Sequence, residues 1–215
     1  MCRHPDEGRG MIAEVQTLDS IRRSLAAREC LEIPSQPGMR EAAVAIILRP
    51  WTDGLQVLFI ERAQKAGDPW SGHMAFPGGH RDPEDADLRA AAVRETAEEI
   101  GVALHSANHI AGLDHHRAMP RGRPSDLLIA PHVFALEGDP ELRPNHEVND
   151  VVWTELEPLM SGSIHDTQTY PVQGKPTIFN GYRLPAGHFV WGLTYRILKE
   201  FFGSLDATWQ PPAEL

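Results

Sequence analysis

The sequence predicts an α/β fold with a mixed β-sheet between helices, and three observations carry that expectation. Two β-branched and aliphatic runs, AAVAIIL and LQVLFI, have strand length and stand either side of turn signals. A stretch ending at Ile100 repeats its apolar residues at spacings of three and four, as an amphipathic helix does. Further short strand patterns follow it, and FVWGLTYRILKEFFG near the end again reads as a helix.

Taken in order, residues 1–40 mix charges with Pro and Gly and read as an N-terminal extension with one short helix, from Asp19 as N-cap to about Glu29. Residues 41–205 read as the single main domain and residues 206–215 as a tail. The two opening runs form a hairpin across Pro50 and Asp53-Gly54. DPWSGHMAFPGGHRDPED then leads into a helix beginning at Asp85 or Asp87 and stopped by Gly101. Strands are expected around Ile110 to Leu113, Leu127 to Leu136 and Val148 to Trp153, with a turn region at Pro158. Asn180-Gly181 inside IFNGYRL marks a second hairpin, and the closing helix takes in FVW.

Composition narrows the function. With 215 residues and 41% apolar content the chain can bury a core, while its longest clean apolar run is far below the roughly 20 residues a membrane helix needs. The opening MCRHPDEGRG is polar and charged, so no membrane span and a cytoplasmic location are expected. A formal charge of −10 disfavours nucleic acid as a partner; a small anionic substrate would need a cation between it and the acids. Cys2 and Cys30 lack metal-ligand spacing and read as reduced thiols. The oligomeric state is open, a homodimer included.

Chemistry concentrates on the central helix. Ala90, Val93, Ala97 and Ile100 share a face suited to packing on a sheet, and Glu95, Glu98 and Glu99 are expected on the opposite, solvated face. Like charges at that spacing cost a few tenths of a kcal/mol per pair, roughly, unless a divalent cation such as Mg²⁺ or Mn²⁺ reverses the sign. The plainer alternative is a solvated acidic face on which Arg94 pairs with Glu98 one turn on.

The segment GHRDPEDADLRAAAVRETAEEIGV resembles the Nudix box, whose second half is matched by Arg94-Glu95-Thr96-Ala97-Glu98-Glu99-Ile100-Gly101-Val102, with Thr96 at a usually apolar place. Counted from Gly79, the first half reaches Asp85 where that pattern has Glu, and eight residues rather than seven separate it from Arg94. Glu84, Asp85 and Asp87 are therefore alternative partners of Arg94. The resemblance implies a Nudix-like α/β/α sandwich, with Glu95, Glu98 and Glu99 and the Gly79 carbonyl holding Mg²⁺ or Mn²⁺. Arg94 would orient a neighbouring carboxylate, and Glu147 in NHEVNDVVW would serve as general base or extra ligand. The substrate implied is a small molecule with a nucleotide-linked diphosphate.

REAAVAIIL, FPGGHRDPED, AGLD, APHV, NHEVNDVVWTELEPL and VWGLT, in that order, look like the coenzyme A diphosphatase branch. That branch commonly has an Arg where this chain has Asp68. Arg62, Lys65, His73, Arg121 and Arg123 are the groups that would meet substrate phosphate instead. The rival substrates are ADP-ribose, nucleotide sugars and nucleoside triphosphates. A non-catalytic nucleotide-binding module of the same fold would tolerate loss of the carboxylates, and this chain keeps all three. Asp114, His115 and His116 read as a solvent-exposed loop rather than a zinc site, since adjacent histidines in a strand face opposite ways. Trp51, Trp70, Trp153 and Trp191 read as packing anchors, with Trp70 placed to line a pocket.

Overall fold

A computed structural model describes residues 16–52, 54–65, 67, 70–118, 126–172 and 174–215. The main sheet is built on β1 (Arg40–Trp51), β2 (Gly54–Arg62), β3 (Met74–Ala75), β4 (Gly78–His80), β5 (His109–Gly112), β6 (His116–Ala118), β7 (Leu127–Ala135) and β8 (Val148–Glu155). Its order is β3-β2-β1-β7-β5, with β4 also paired to β1, β6 to β7 and β8 to β2. β1 runs parallel to β7 and antiparallel to β2, so the sheet is mixed. A smaller antiparallel sheet, β11-β10-β9, is formed by β9 (His165–Val172), β10 (Lys175–Arg183) and β11 (Phe189–Trp191).

The unbroken apolar run of β1 has a simple cause: both of its faces are covered. Ala43, Ala45 and Ile47 join the cluster under helix α2 (Leu88–Ile100), whereas Ala42, Ile46 and Leu48 join the cluster holding α1 (Leu18–Ala26) and α4 (Gly192–Leu205). Helices thus cover both sides of the sheet, as the sequence predicts. Ile21 and Leu25 of α1 lie inside the second cluster, packed with Phe201, Phe202 and Leu205 of α4. Asp114 and His115 tie down the chain after α1, accepting from the amides of Leu31 at 2.7 Å and Ile33 at 3.1 Å. They are anchors, and His116 is the first residue of β6 rather than part of a loop.

Several expectations are corrected. The N-cap of α1 is Thr17, whose hydroxyl accepts from Ser20 N at 3.1 Å, and not Asp19, which lies inside the first turn. Asn180-Gly181 makes no turn: β10 runs straight through it, and the hairpin closes next to Gly174, with Lys175 opposite Val172. Gly181 is required there because a Cβ would strike the Val190 carbonyl and the Phe189 ring. That is a close-approach glycine inside a strand. FVW is the strand β11, and the closing helix begins only at Gly192, whose φ of 63° makes the turn between them. Pro158 lies in a short helix, α3 (Leu156–Met160), where the sequence suggests a turn.

On α2 the buried side chains are Ala91, Ala92, Thr96, Glu99 and Ile100, while Ala97 is exposed and Ala90 and Val93 are half-buried. The buried stripe is thus rotated from the one expected. Two alanines let the helix lie close to β1 and β4, and Thr96 is accommodated because its hydroxyl donates to the Ala92 carbonyl at 2.7 Å. Of the two starts left open, Asp85 and Asp87, the structure takes Asp87, and the stop at Gly101 is as read. Asp87 caps the first turn by accepting from Ala90 N at 2.7 Å, and Gly101 at φ 73° provides the left-handed stop.

Candidate functional site

The site begins at the Phe-Pro-Gly-Gly turn. Gly78 has φ 147°, and a Cβ there would overlap the Ala43 carbonyl and the Val44 Cα, so only glycine lets β4 close on β1. Its N–H then points at α2 and donates to Glu99 Oε2 at 2.8 Å. Gly79 is next, and its missing side chain leaves the space that the Glu95 carboxylate fills. The two glycines let two acids of the helix lie against bare backbone.

Arg94 organises the rest. Its Nε stands 3.1 Å from Asp85 Oδ1 and its Nη2 stands 2.9 Å from Oδ2, a bidentate pair. The same Nη2 donates to the His80 carbonyl at 2.8 Å, and Nη1 reaches Glu95 Oε1 at 3.1 Å and Glu98 Oε2 at 3.3 Å. Asp85 is therefore the partner of Arg94. Asp87 is taken up by the helix cap, and Glu84 is exposed. Asp85 also accepts from Asp82 N at 2.8 Å. The Arg94 hydrogen bond, ahead of every other influence, holds the Asp85 carboxyl below its usual range.

The three glutamates differ in setting. Glu98 is exposed, with 56% of its side chain accessible, and Glu95 is half-buried. Glu99 is 3% exposed, so it does not stand on a solvated face as expected. Burial pushes its carboxyl up to about 8, with Glu95 and Glu147 adding to the rise and the Gly78 N–H and Arg62 opposing it. Burial raises Glu95 as well, Arg94 opposes, and Glu98 and Glu147 reinforce.

Glu147 arrives through the end of α2. The carbonyls of Ile100 and Glu99 accept from Arg143 N and Asn145 N, each at 2.8 Å, which fastens the loop before β8 to the acidic helix. The Asn145 side chain then accepts from Glu147 N at 2.7 Å, and the Glu147 carbonyl accepts from Ala63 N at 2.8 Å. Glu147 is exposed and close enough to bear on both Glu95 and Glu99.

Of the residues expected to meet phosphate, Arg62 ends β2 on the α2 side of the sheet and its charge reaches Glu99. Lys65 is exposed in the following loop, and the structure puts it in no contact with the acids among the described residues. His73 lies against Trp191, ring centroids 4.7 Å apart. Arg121, Arg123, Asp68 and Cys2 lie outside the described residues. Sequence reasoning missed Arg40 and His80, whose side chains touch at the start of β1 and the end of β4, both exposed. A depression of about 330 Å³ lies on the far side of α2, among Asp87, Val93, Leu104, His109 and Phe134, and touches the site only through Arg94.

The acids fit a divalent ion by donor chemistry, being hard oxygens beside a backbone cradle, with their charge only partly offset by Arg94. As placed, no three acid, histidine or cysteine side chains among the described residues form a ready ligand set. Arg94 contacts one oxygen of each of Glu95 and Glu98, so the second oxygen of each carboxylate would be the one to take a metal.

A glycine-built turn, an acidic helix locked by Arg94 and a mixed sheet between helices define a recognisable class. The NUDIX domain model matches residues 39–174, and the chain belongs to the Nudix hydrolase family. It is 35% identical over 168 residues to the human (Homo sapiens) mitochondrial coenzyme A diphosphatase NUDT8, covering 72% of this chain and 65% of that protein. To NUDT8 of Mus musculus it is 30% identical over 177 residues, 80% of each chain. The chain spans 47% to 65% of the length of three of the curated relatives it matches. Among solved structures, a MutT/nudix family protein from Enterococcus faecalis superimposes with a TM-score of 0.56 at 19% identity, covering 89% of this chain and 70% of that one; the likeness is one of fold.

Proposed function

We propose that this chain hydrolyses the diphosphate linkage of a nucleotide-linked small molecule with Mg²⁺ or Mn²⁺ bound, and that its preferred substrate is coenzyme A or a thioester of it. The products are 3′-phosphoadenosine 5′-phosphate and a phosphopantetheine. The observation that carries the reading is that Glu99 and Glu95 lie against Gly78 and Gly79, with Glu98 on the same Arg94, Glu147 within electrostatic reach of Glu95 and Glu99, and Arg94 locked to Asp85 behind them.

Glu95, Glu98 and Glu99, with the Gly79 carbonyl, would hold the metal. When bound, a divalent ion neutralises diphosphate charge and makes water more acidic. The chain's own groups do the rest. Arg94, pinned by Asp85 and the His80 carbonyl, fixes the helix against the turn, so the carboxylates keep their positions through the reaction. Glu147, exposed and fastened by Asn145, would accept the proton of the attacking water. Arg62, Arg40 and His80 supply cationic or hydrogen-bonding groups for the phosphate oxygens, in place of the arginine that Asp68 replaces.

The coenzyme A preference is supported by the ordered resemblance and by relatives whose own names carry that activity. The test is a panel of coenzyme A, 3′-dephospho-coenzyme A, ADP-ribose, a nucleotide sugar and nucleoside triphosphates, with Mg²⁺ or Mn²⁺ and products identified by mass. Fast cleavage of coenzyme A is expected, and Arg62→Ala or Arg40→Ala should weaken coenzyme A more than its 3′-dephospho form. Cleavage of ADP-ribose or nucleotide sugars alone removes the coenzyme A preference and leaves diphosphate hydrolysis standing. Tight nucleotide binding without cleavage of any compound makes the chain a binding module.

A further inference from the structure

The second sheet carries aromatic side chains that the chemistry above does not use. Residues opposite one another in register share a face, so Tyr170, Phe179 and Trp191 lie together with Gln168 and Arg183, while Tyr182 and Val190 of the other face enter the core. Gly181 stands opposite Trp191 and puts no side chain beside its indole. Tyr170 stacks on Trp191 at 4.5 Å between centroids and 17° between planes. Phe179 is 4.6 Å and His73 4.7 Å from the same indole. All four rings are only half-buried, so π surface stays within reach of solvent.

This face adjoins the acid site. β11 packs against β3, and Thr194 at the start of α4 donates to the Met74 carbonyl at 3.1 Å. His188 is 3.2 Å from Asp150 of β8. Arg62 N donates to the His73 carbonyl at 3.1 Å, so the residue whose charge reaches Glu99 is bonded through its backbone to one of the rings. Rings and carboxylates flank the same end of β2.

We propose that the face centred on Tyr170 and Trp191 seats the purine base of a nucleotide whose phosphates lie at the acidic helix. The inference rests on the proposed function and names the base-binding half of that site. Flat rings favour a flat heteroaromatic partner. Gln168 Oε1 accepts from Arg183 Nη1 at 2.7 Å and Asp166 accepts from Arg183 Nε at 3.0 Å, so it is the Gln168 amide nitrogen and Arg183 Nη2 on this face that suit the edge of a base and not an aliphatic chain.

The test uses the full chain with Mg²⁺ and compares AMP with ribose 5-phosphate, which keeps sugar and phosphate and lacks the base, by titration calorimetry. AMP is expected to bind about tenfold tighter or better, the scale of one base–aromatic stack. Tyr170→Leu should bring the two ligands to near equality, and Tyr170→Phe should keep the difference. His73→Ala, a loop variant, gives the same reading if Tyr170→Leu does not fold. Equal binding of the two ligands by the unaltered chain overturns the platform, as does a difference that survives both Tyr170→Leu and His73→Ala. If Tyr170→Leu dissociates a dimer and leaves the ligand ratio unchanged, a second copy covers this face and the proposal fails. Diphosphate cleavage indifferent to the base overturns the platform and spares the proposed function. Tyr170-dependent AMP binding without cleavage of any diphosphate supports the platform and overturns the function.

Discussion

Arg94 and Asp85 meet in a bidentate pair, Nε to Oδ1 at 3.1 Å and Nη2 to Oδ2 at 2.9 Å, with only 6% of the Asp85 side chain accessible. The pair joins the loop before the acidic helix to its middle turn. Asp85→Ala should therefore cost about 2 kcal/mol of stability, the scale of losing hydrogen bonds to a charged partner. It should lower activity further by letting Arg94 swing fully onto Glu95 and Glu98. Urea denaturation and steady-state rates measure the two effects separately. Because Arg94 depresses the Asp85 carboxyl, this stabilisation is full above the unfolded value near 3.8 and is lost as pH falls through the lower folded value.

Glu98→Gln and Glu99→Gln should each reduce kcat/KM by roughly 10²-fold or more, the scale of removing one preorganised charge from a transition state. Their stabilities should differ in kind. Glu98 is exposed and its loss should leave the melting temperature nearly unchanged, whereas Glu99 is a buried carboxyl whose amide replacement still accepts from Gly78 N–H. Glu99→Gln should melt at or above the unaltered protein without metal. Wild-type turnover in both variants at saturating Mg²⁺ and Mn²⁺ would remove these residues from the metal site.

Glu147→Gln should depress kcat more than KM, because a base acts mainly in the transition state. The backbone bonds that hold the loop, from Asn145 N to the Glu99 carbonyl and from Ala63 N to the Glu147 carbonyl, remain in the variant. A pH–rate profile is the check: the acidic limb should disappear. If limb and rate both persist, the base is another group.

His132 provides a stability prediction away from the acids. Burial, above all, pushes its imidazole down to about 4 from 6.5, with His109, His115 and Arg89 adding to the drop and Asp87 opposing it. The unfolded chain therefore binds the proton more readily. The stabilisation is full above pH 6.5 and declines as pH falls towards 4. Denaturation midpoints between those limits should fall more steeply with acid in the unaltered protein than in His132→Gln. Parallel slopes would mean that His132 is protonated in the fold.

How much the sequence carried is clearest at individual residues. Local chemistry is determined within a few neighbours. The Gly101 stop, the first hairpin and the composition of the acidic helix were all legible, because each follows from backbone conformation or spacing along one segment. Contacts between segments are different. That Asp85 rather than Glu84 or Asp87 takes Arg94 depends on how the loop from Gly79 packs onto the helix, and one extra residue in that loop makes counting along the chain insufficient. Asn180-Gly181 has the composition of a turn, yet it stays extended because β11 packs so closely that only glycine fits. Glu99 has the hydrophilicity of a surface residue, and it is buried because Gly78 offers it a backbone donor and Ala91 and Ala92 let the helix approach. Periodicity alone places charge in solvent; only the tertiary fold supplies the hydrogen bonds that let a carboxyl go inside.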